Sequence, residues 1–221
     1  MTTPRPTPTQ VEHQPPTDAK SVLAELEAGN ARFVAARRQR SIASHNDRLL
    51  REQLANGQYP GVALVTCADS RIVPEFIFDQ TIGSIFDTRN AGNVVDGDVL
   101  ATLEYGVHHL HIPLILVMGH NNCGAVQAIL EAGDKELEPN LNEIQKNMSG
   151  LRPLIQKPHD NKSDFLLKLC EENARQQAVR LVKESKVLAE AVEKKHAVVV
   201  VGIYDLETGK VTILDRGSLD K

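Results

Sequence analysis

Residues 113–126 read PLILVMGHNNCGAV, an apolar run that ends in His120 and is followed by Cys123 and Gly124. A run that is apolar throughout, rather than alternating, is typical of a strand buried on both faces of a parallel sheet. A second such run, residues 61–66, ends directly before Cys67. Because parallel strands end at the same edge of a sheet, the spacing predicts that these two cysteines and the histidine lie close together.

The apolar runs predict an α/β fold with a mostly parallel four-stranded sheet and a short C-terminal edge strand, flanked by helices. The hairpin-like stretch 205–210 predicts that the last strand is antiparallel to its neighbour. Strands are expected at 61–66, 84–88, 113–119, 197–204 and 210–214, and helices near 74–79, 97–110, 122–132 and 163–195.

The first 17 residues hold five of the eleven prolines and almost no apolar spacing, which predicts a disordered arm. Residues 18–221 are expected to form one domain, since 41% hydrophobic residues suffice for one α/β core. A helix is expected to begin near Asp18 and to be weakened at Gly29-Asn30. A second helical stretch is expected to follow Ser44 and to end before Gly57.

The formal net charge of -4 gives no electrostatic reason to bind nucleic acid or an anionic membrane. No apolar stretch reaches the ~18 residues that span a bilayer. The N-terminus has no apolar segment typical of a secretory signal, which predicts a cytoplasmic protein, or a periplasmic one if a leader has been removed. The third cysteine, Cys170, lies in an apolar helical stretch and is expected to be a packing residue.

Two thiolates and an imidazole suit zinc, and the choice between catalysis and structure depends on the fourth ligand. Three protein ligands leave a position for water, whereas Asp69 could close the site as a fourth. Arg71 follows two residues later and is expected to pair with Asp69 and keep it ionised. Asp69 could then accept a hydrogen bond from zinc-bound hydroxide.

These motifs resemble the β-class carbonic anhydrases over roughly residues 20–215. The resemblance rests on Cys-x-Asp-Ser-Arg at 67–71, Arg-Asn-Ala-Gly-Asn at 89–93, Leu-Glu-Tyr-Gly-Val at 103–107 and Gly-His-x-x-Cys-Gly at 119–124. It implies a lyase that hydrates carbon dioxide reversibly to bicarbonate and a proton. The implied Zn²⁺ ligands are Cys67, His120 and Cys123, and the implied catalytic pair is Asp69 and Arg71.

The resemblance also implies a substrate pocket near a subunit interface, in a homodimer or higher oligomer whose N-terminal helices pack on the partner. Gln80 matches a glutamine that donates a hydrogen bond to a substrate oxygen. Tyr105 matches a tyrosine near the same pocket, although a tyrosine on a helix often only packs. Family members that close the site with the aspartate have a bicarbonate pocket and a tryptophan three residues before the first cysteine. Leu64 stands there, which predicts an open site.

Two other functions stay open. The same zinc site could hydrolyse carbon disulfide or carbonyl sulfide, because zinc chemistry hardly distinguishes these molecules from carbon dioxide. Alternatively, Asp69 could close a structural zinc site in a non-catalytic protein, although Arg71 would then compete with zinc for the carboxylate. Gly92 and Asn93 are expected to shape a turn. The histidine patch His108, His109 and His111 is expected at the opposite edge of the sheet.

Overall fold

A computed structural model of the chain describes residues 18–37, 48–156 and 161–220. The predicted arm over residues 1–17 lies outside these ranges. The described helices are α1 Ala19–Val34, α2 Arg48–Leu54, α3 Pro74–Ile77, α4 Gly97–His109, α5 Gly124–Ala132, α6 Pro139–Asn147, α7 Arg152–Ile155, α8 Lys162–Glu184 and α9 Lys186–Glu193. The strands are β1 Val62–Cys67, β2 Ile85–Asn90, β3 Leu114–His120, β4 Val198–Tyr204 and β5 Val211–Asp215.

The five strands form one sheet in the order β2-β1-β3-β4-β5. The first four are parallel and β5 is antiparallel to β4, as predicted. The register pairs Cys67 with Asn90 and His120 with Tyr204. The carboxyl ends of all four parallel strands therefore meet at one edge, which is where this class of fold places its sites.

Helices cover both faces of the sheet, so the central strands are buried throughout. Every residue of β1 and β3 is buried. Successive side chains point to opposite faces, as the two-residue strand period requires. Leu64 and Leu116 contribute to the core cluster beneath α1 and α5. Val65 and Val117 contribute to the other cluster, beneath α4 and α9.

The single helix predicted over 163–195 is wrong, because the chain breaks at Ser185 into α8 and α9. Ser185 has an extended backbone with φ -115° and ψ 117°. Its hydroxyl oxygen accepts a hydrogen bond from the Leu188 N–H at 3.1 Å. The same hydroxyl donates to Glu104 Oε1 on α4 at 2.6 Å. Ser185 thus caps α9 and ties the helix break to a neighbouring helix.

The predicted weakening of the first helix at Gly29-Asn30 is also wrong, since α1 is continuous over 16 residues. Gly29 lets the helix approach the chain closely, because a Cβ there would lie 1.9 Å from the Phe78 carbonyl oxygen. The Asn30 amide donates to the carbonyls of Ile77 and Gly209 at 3.1 and 2.8 Å. These two residues therefore fasten α1 to its own chain; its packing on a partner stays a prediction. No helix among the described residues is both long and apolar enough to cross a bilayer.

Candidate metal centre

The structure brings Cys67, His120 and Cys123 together at the carboxyl edge of the sheet. Their ligand atoms all lie within 4.8 Å of one another, and all three residues are buried. Cys67 is the last residue of β1 and His120 is the last residue of β3. Asn122 turns the chain in the left-handed region at φ 50°. The helix predicted near 122–132 begins at Gly124, and the extended backbone of Cys123 (φ -72°, ψ 117°) makes this residue the N-cap of α5.

The spacing of the two sulfur atoms fits one shared metal ion. The Sγ atoms of Cys67 and Cys123 lie 4.0 Å apart. Two sulfurs bound to zinc at 2.3 Å in tetrahedral geometry would lie about 3.8 Å apart. The preformed site therefore needs only a small adjustment to hold zinc.

His120 presents the correct nitrogen to this site. Its Nδ1 lies 2.8 Å from the Asn121 carbonyl oxygen. A carbonyl only accepts, so Nδ1 carries the proton and Nε2 keeps its lone pair. Nε2 is buried and has no hydrogen-bond partner among the described residues. Such an orphaned lone pair beside two thiols is costly unless it binds a metal, which makes it the strongest sign of fit.

The two thiols also favour a cation between them. Their shared hydrogen bond lowers the pKa of Cys67 and raises the pKa of Cys123. A second thiolate 4.0 Å from the first is disfavoured by repulsion unless a positive charge lies beside both. Cys170, by contrast, is 2% exposed within the core cluster, and burial raises its pKa to about 11. It is a packing cysteine, as predicted.

Asp69 and Arg71 form the expected pair at the rim of the cluster. Arg71 donates to Asp69 Oδ1 from its backbone N at 3.0 Å and from Nε at 2.9 Å, and to Oδ2 from Nη2 at 2.7 Å. These hydrogen bonds hold the pKa of Asp69 far below its usual range. Asp69 Oδ2 lies 3.9 Å from His120 Nε2. Both carboxylate oxygens are thus engaged by Arg71 while lying beside the ligand cluster.

The motif Arg-Asn-Ala-Gly-Asn holds the loop of the first ligand in place through hydrogen bonds. The sequence alone did not predict this role. Arg89 donates from Nε to the Cys67 carbonyl at 3.1 Å and from Nη2 to the Asp69 carbonyl at 2.8 Å. Asn90 exchanges two hydrogen bonds with the backbone of Val94, at 2.8 and 2.9 Å. Between them, Gly92 and Asn93 form the predicted turn, with φ 77° and 46°. The loop that carries Cys67 and Asp69 is therefore held from β2.

A second set of hydrogen bonds, made by the side chain of Asn121, supports His120. The sequence alone did not predict it. The Asn121 side chain donates to Asp205 Oδ2 at 2.9 Å and accepts from the Leu206 N–H at 2.9 Å. Asp205 follows β4 and opens the hairpin to β5. Its distance of 84 residues from Asn121 leaves no local sequence signal for the pair. The carbonyl that fixes the His120 tautomer is thereby held by the neighbouring strand.

Gln80 and Tyr105 contact residues other than the metal ligands, and their substrate roles stay predictions. The Gln80 amide donates to the Phe78 carbonyl at 3.0 Å and lies 3.5 Å from Glu25 Oε1 on α1. The Tyr105 ring, 48% exposed on α4, packs beside Phe86 with centroids 6.2 Å apart. Phe86 pairs with Ala63, four residues before Cys67, so the backbone of Phe86 lies about 13 Å from Cys67 along the strand direction.

The histidine patch lies at the opposite edge of the sheet from the ligand cluster, as predicted. His108 and His109 end α4, and β3 begins at Leu114 and runs the full length of the sheet to His120. Seven strand residues separate the two ends, which is about 20 Å. His108, His109 and His111 are exposed and take no part in the ligand cluster.

Comparison with known proteins agrees with this geometry. A family model described as "Carbonic anhydrase" matches residues 62–211. Carbonic anhydrase 2 of Mycobacterium tuberculosis is 46% identical over 118 residues, which are 53% of this chain and 56% of that protein. The carbonic anhydrase of Synechococcus elongatus is 32% identical over 195 residues, or 80% and 67% of the two chains. Matches to the first curated relatives thus span only slightly more than half of those proteins' length.

Among solved structures, the β-carbonic anhydrase CcaA superposes with a TM-score of 0.71 at 27% identity. The superposition covers 87% of this chain and 95% of that one. The structural similarity therefore extends over most of the chain, and the family match over residues 62–211 includes the cysteine and histidine cluster.

Proposed function

Since this chain belongs to the β-class carbonic anhydrase family, we propose that it catalyses the reversible hydration of carbon dioxide to bicarbonate and a proton. The observation that carries this proposal is the buried cluster of Cys67, His120 and Cys123 with the Asp69–Arg71 pair at its rim. Such a donor set suits Zn²⁺. When bound, zinc would supply a Lewis acid that makes water nucleophilic near neutral pH.

Arg71 supports an open site rather than one closed by Asp69. To bind a metal through Oδ2, the oxygen that lies 3.9 Å from His120 Nε2, the carboxylate would have to compete with its bond from Arg71 Nη2 at 2.7 Å. Charge-assisted bonds of this kind are roughly twice as strong as neutral ones. The three protein ligands would therefore hold the ion and leave one position for the reaction, as in catalytic zinc sites.

Asp69 would then act as a hydrogen-bond acceptor that orients the attacking oxygen. The two thiolates of Cys67 and Cys123 would neutralise most of the charge of a divalent ion, so an ion held there would supply a weaker Lewis acid than one held by three imidazoles. A fixed, ionised carboxylate next to the site would compensate for this weaker activation by holding the attacking oxygen in one orientation. Its low pKa, due mainly to the Arg71 side chain, keeps it an acceptor across the physiological pH range.

Gln80 would contribute the substrate contact from a neighbouring subunit. In the single chain its amide faces the carbonyl of Phe78 and Glu25 of α1, the helix expected to pack on a partner. A homodimer would place this α1 side of one chain against the site of the other. Tyr105 would line the same intersubunit pocket, which suits a small apolar substrate such as carbon dioxide.

The test is stopped-flow hydration of carbon dioxide from pH ~6.5 to ~9, the range in which metal-activated water ionises, on protein of measured zinc content. We expect zinc-dependent activity that rises with pH. A His120→Asn variant should lose both zinc and activity, whereas Lys146→Ala, which removes only the surface pair with Glu143, should keep both. Full zinc without activity at any pH would overturn the proposal, and turnover of carbon disulfide would then separate a sulfur substrate from a structural metal.

A further inference from the structure

The first ligand receives a hydrogen bond from a neighbouring turn. The Gly92 N–H donates to Cys67 Sγ at 3.3 Å in a buried setting. Gly92 is itself buried, with φ 77°, and an added Cβ would lie 2.0 Å from Met148 Cε. The turn is therefore tightly confined. A backbone N–H directed at a thiolate offsets part of its charge and fixes the direction of the sulfur.

Two side chains of α8 hold this turn from the other side. The Asn173 amide donates to the Gly92 carbonyl at 2.8 Å. Both backbone polar groups of Gly92, the N–H and the carbonyl, are therefore hydrogen-bonded. Gln177, one helical turn later, accepts from the Val95 N–H at 2.8 Å. Its amide also donates to Asn173 Oδ1 at 3.1 Å and to the Asn147 carbonyl at 3.0 Å. Both ends of the turn are thus attached to one helix.

Packing alone does not account for these two amides. Asn173 and Gln177 are 0% and 1% exposed. Their helix face is otherwise apolar, with Leu169, Ala174 and Leu181 also buried. Burying an amide costs free energy that hydrogen bonds only offset, so an apolar residue would fill this space at lower cost. A fully bonded polar pair specifies the position of what it binds, which here is the turn that touches Cys67.

We propose that Asn173 and Gln177 are positioning residues that hold the Gly92 N–H against Cys67 Sγ and so fix the direction of this ligand and set the affinity of the metal site. This deepens the proposed function, on which it rests for the identity of the metal. Neither residue touches the ligand cluster directly; each acts through the backbone of the turn. Loss of outer-shell partners of this kind weakens metal binding by about 10- to 100-fold.

The experiment compares Asn173→Leu and Gln177→Leu with the wild type by zinc competition against a chelator and by absorption of the cobalt-substituted protein. We expect zinc affinity to fall about 10- to 100-fold in each variant, with a shift of the thiolate-to-cobalt charge-transfer band. The double variant should be little worse than either single one, because both side chains act through the same turn. Asn173→Ser, a smaller change, replaces Asn173→Leu if the latter does not fold.

Two variants on the same helix serve as controls. Gln176 is adjacent but bonds to the Gly150 carbonyl and Glu172, so Gln176→Leu should leave zinc affinity and the cobalt spectrum unchanged. Val179 is 66% exposed, and Val179→Gly should lower thermal stability without moving the spectrum. Variants of Asn173 and Gln177 that lose stability but keep the wild-type zinc affinity and spectrum would overturn the inference. If wild-type protein binds metal but hydrates no carbon dioxide, the proposed function fails while a shifted spectrum would still support the positioning role.

Discussion

Arg71 is the residue whose removal should separate catalysis from metal binding. Its three hydrogen bonds orient Asp69, yet its side chain is 55% exposed and bonds to no ligand side chain. In Arg71→Ala we expect the rate of carbon dioxide hydration to fall about 100-fold, as when one preorganised polar group is lost from an active site. Zinc content should stay at the wild-type value. Stopped-flow kinetics and metal analysis on the same preparation measure both quantities.

Arg71→Lys is the matched comparison, because lysine keeps the positive charge but cannot form the two-pronged contact with Asp69. It should recover only a small part of the lost activity if orientation matters more than charge. Full activity in Arg71→Ala would contradict a role for the Asp69–Arg71 pair. Loss of zinc in that variant would show instead that the pair holds the metal site together.

The sequence allowed prediction of those site residues that lie in short motifs at strand ends. Cys67, Asp69 and Arg71 lie within one stretch of five residues, and His120 and Cys123 flank one strand-to-helix turn. The supporting residues were missed because they are remote: Asn173 lies 81 residues from Gly92. One signal was available, since Asn173 and Gln177 are polar residues spaced i, i+4 on the apolar face of a helix. That pattern indicates buried amides, but it does not say what they bind.

At the scale of elements, the strands were predictable to within two residues, and the signal is clearest in β1, β3 and β4, whose apolar runs are nearly continuous. The break between α8 and α9 was not predictable, because Ser185 sits within a continuous helical pattern and its cap depends on a contact with α4. The role of Gly29 and Asn30 in α1 likewise depends on chain segments far away in sequence. Local propensity cannot report such tertiary contacts.

Ser185→Ala should therefore destabilise the junction of α4, α8 and α9. The variant loses the cap of α9 and leaves Glu104 without its hydroxyl donor. We expect the free energy of unfolding to fall by about 1–2 kcal/mol, the range for loss of a serine cap. Urea denaturation measures it. Ser163→Ala, at an exposed position in the first turn of α8, should change stability by less than about 0.5 kcal/mol; equal effects of the two variants would refute a capping role.

The hairpin between β4 and β5 should weaken in acid through Asp205. Asp205 Oδ1 accepts hydrogen bonds from the Thr208 N–H at 2.7 Å and the Thr208 hydroxyl at 2.8 Å. The backbone bond from Thr208 is the main reason why the pKa of Asp205 is lowered. A carboxyl with a lowered folded-state pKa stabilises the fold above its unfolded pKa of about 3.9, and this contribution is lost as the pH falls through the folded value.

Asp205→Asn should accordingly be less stable than the wild type near pH 7, by about 1–2 kcal/mol for bonds to a charged acceptor. The difference should begin to shrink as the pH falls below about 3.9, because the carboxyl of the unfolded chain then takes up a proton that the folded carboxyl, with its lowered pKa, takes up only at lower pH. Urea denaturation at a series of pH values measures it. A difference that stays constant from pH 7 to 3 would show that the charge of Asp205 contributes nothing to the hairpin.

For the whole molecule, the decisive question is whether one chain contains a complete site. The ligand cluster and the Asp69–Arg71 pair lie at the carboxyl edge of the sheet, while Gln80 faces α1 and Tyr105 packs near the start of β2. Folding of a single chain therefore gathers the metal ligands, while the hydrogen bonds of Gln80 and the ring contact of Tyr105 described above are made to other parts of the chain. In a homodimer, the partner's copies of these residues could complete the pocket.

Mixing two inactive variants tests this arrangement. Gln80→Leu keeps the metal ligands but loses the substrate contact, and His120→Asn loses the metal but keeps Gln80. If Gln80 serves the partner's site, each mixed dimer has one complete site, formed by the ligands of the first variant and the Gln80 of the second. Random reassociation of equal amounts makes half of the dimers mixed, so activity should recover to about one quarter of the wild-type value. If Gln80 serves its own chain, no combination yields a complete site and the mixture stays as inactive as its components.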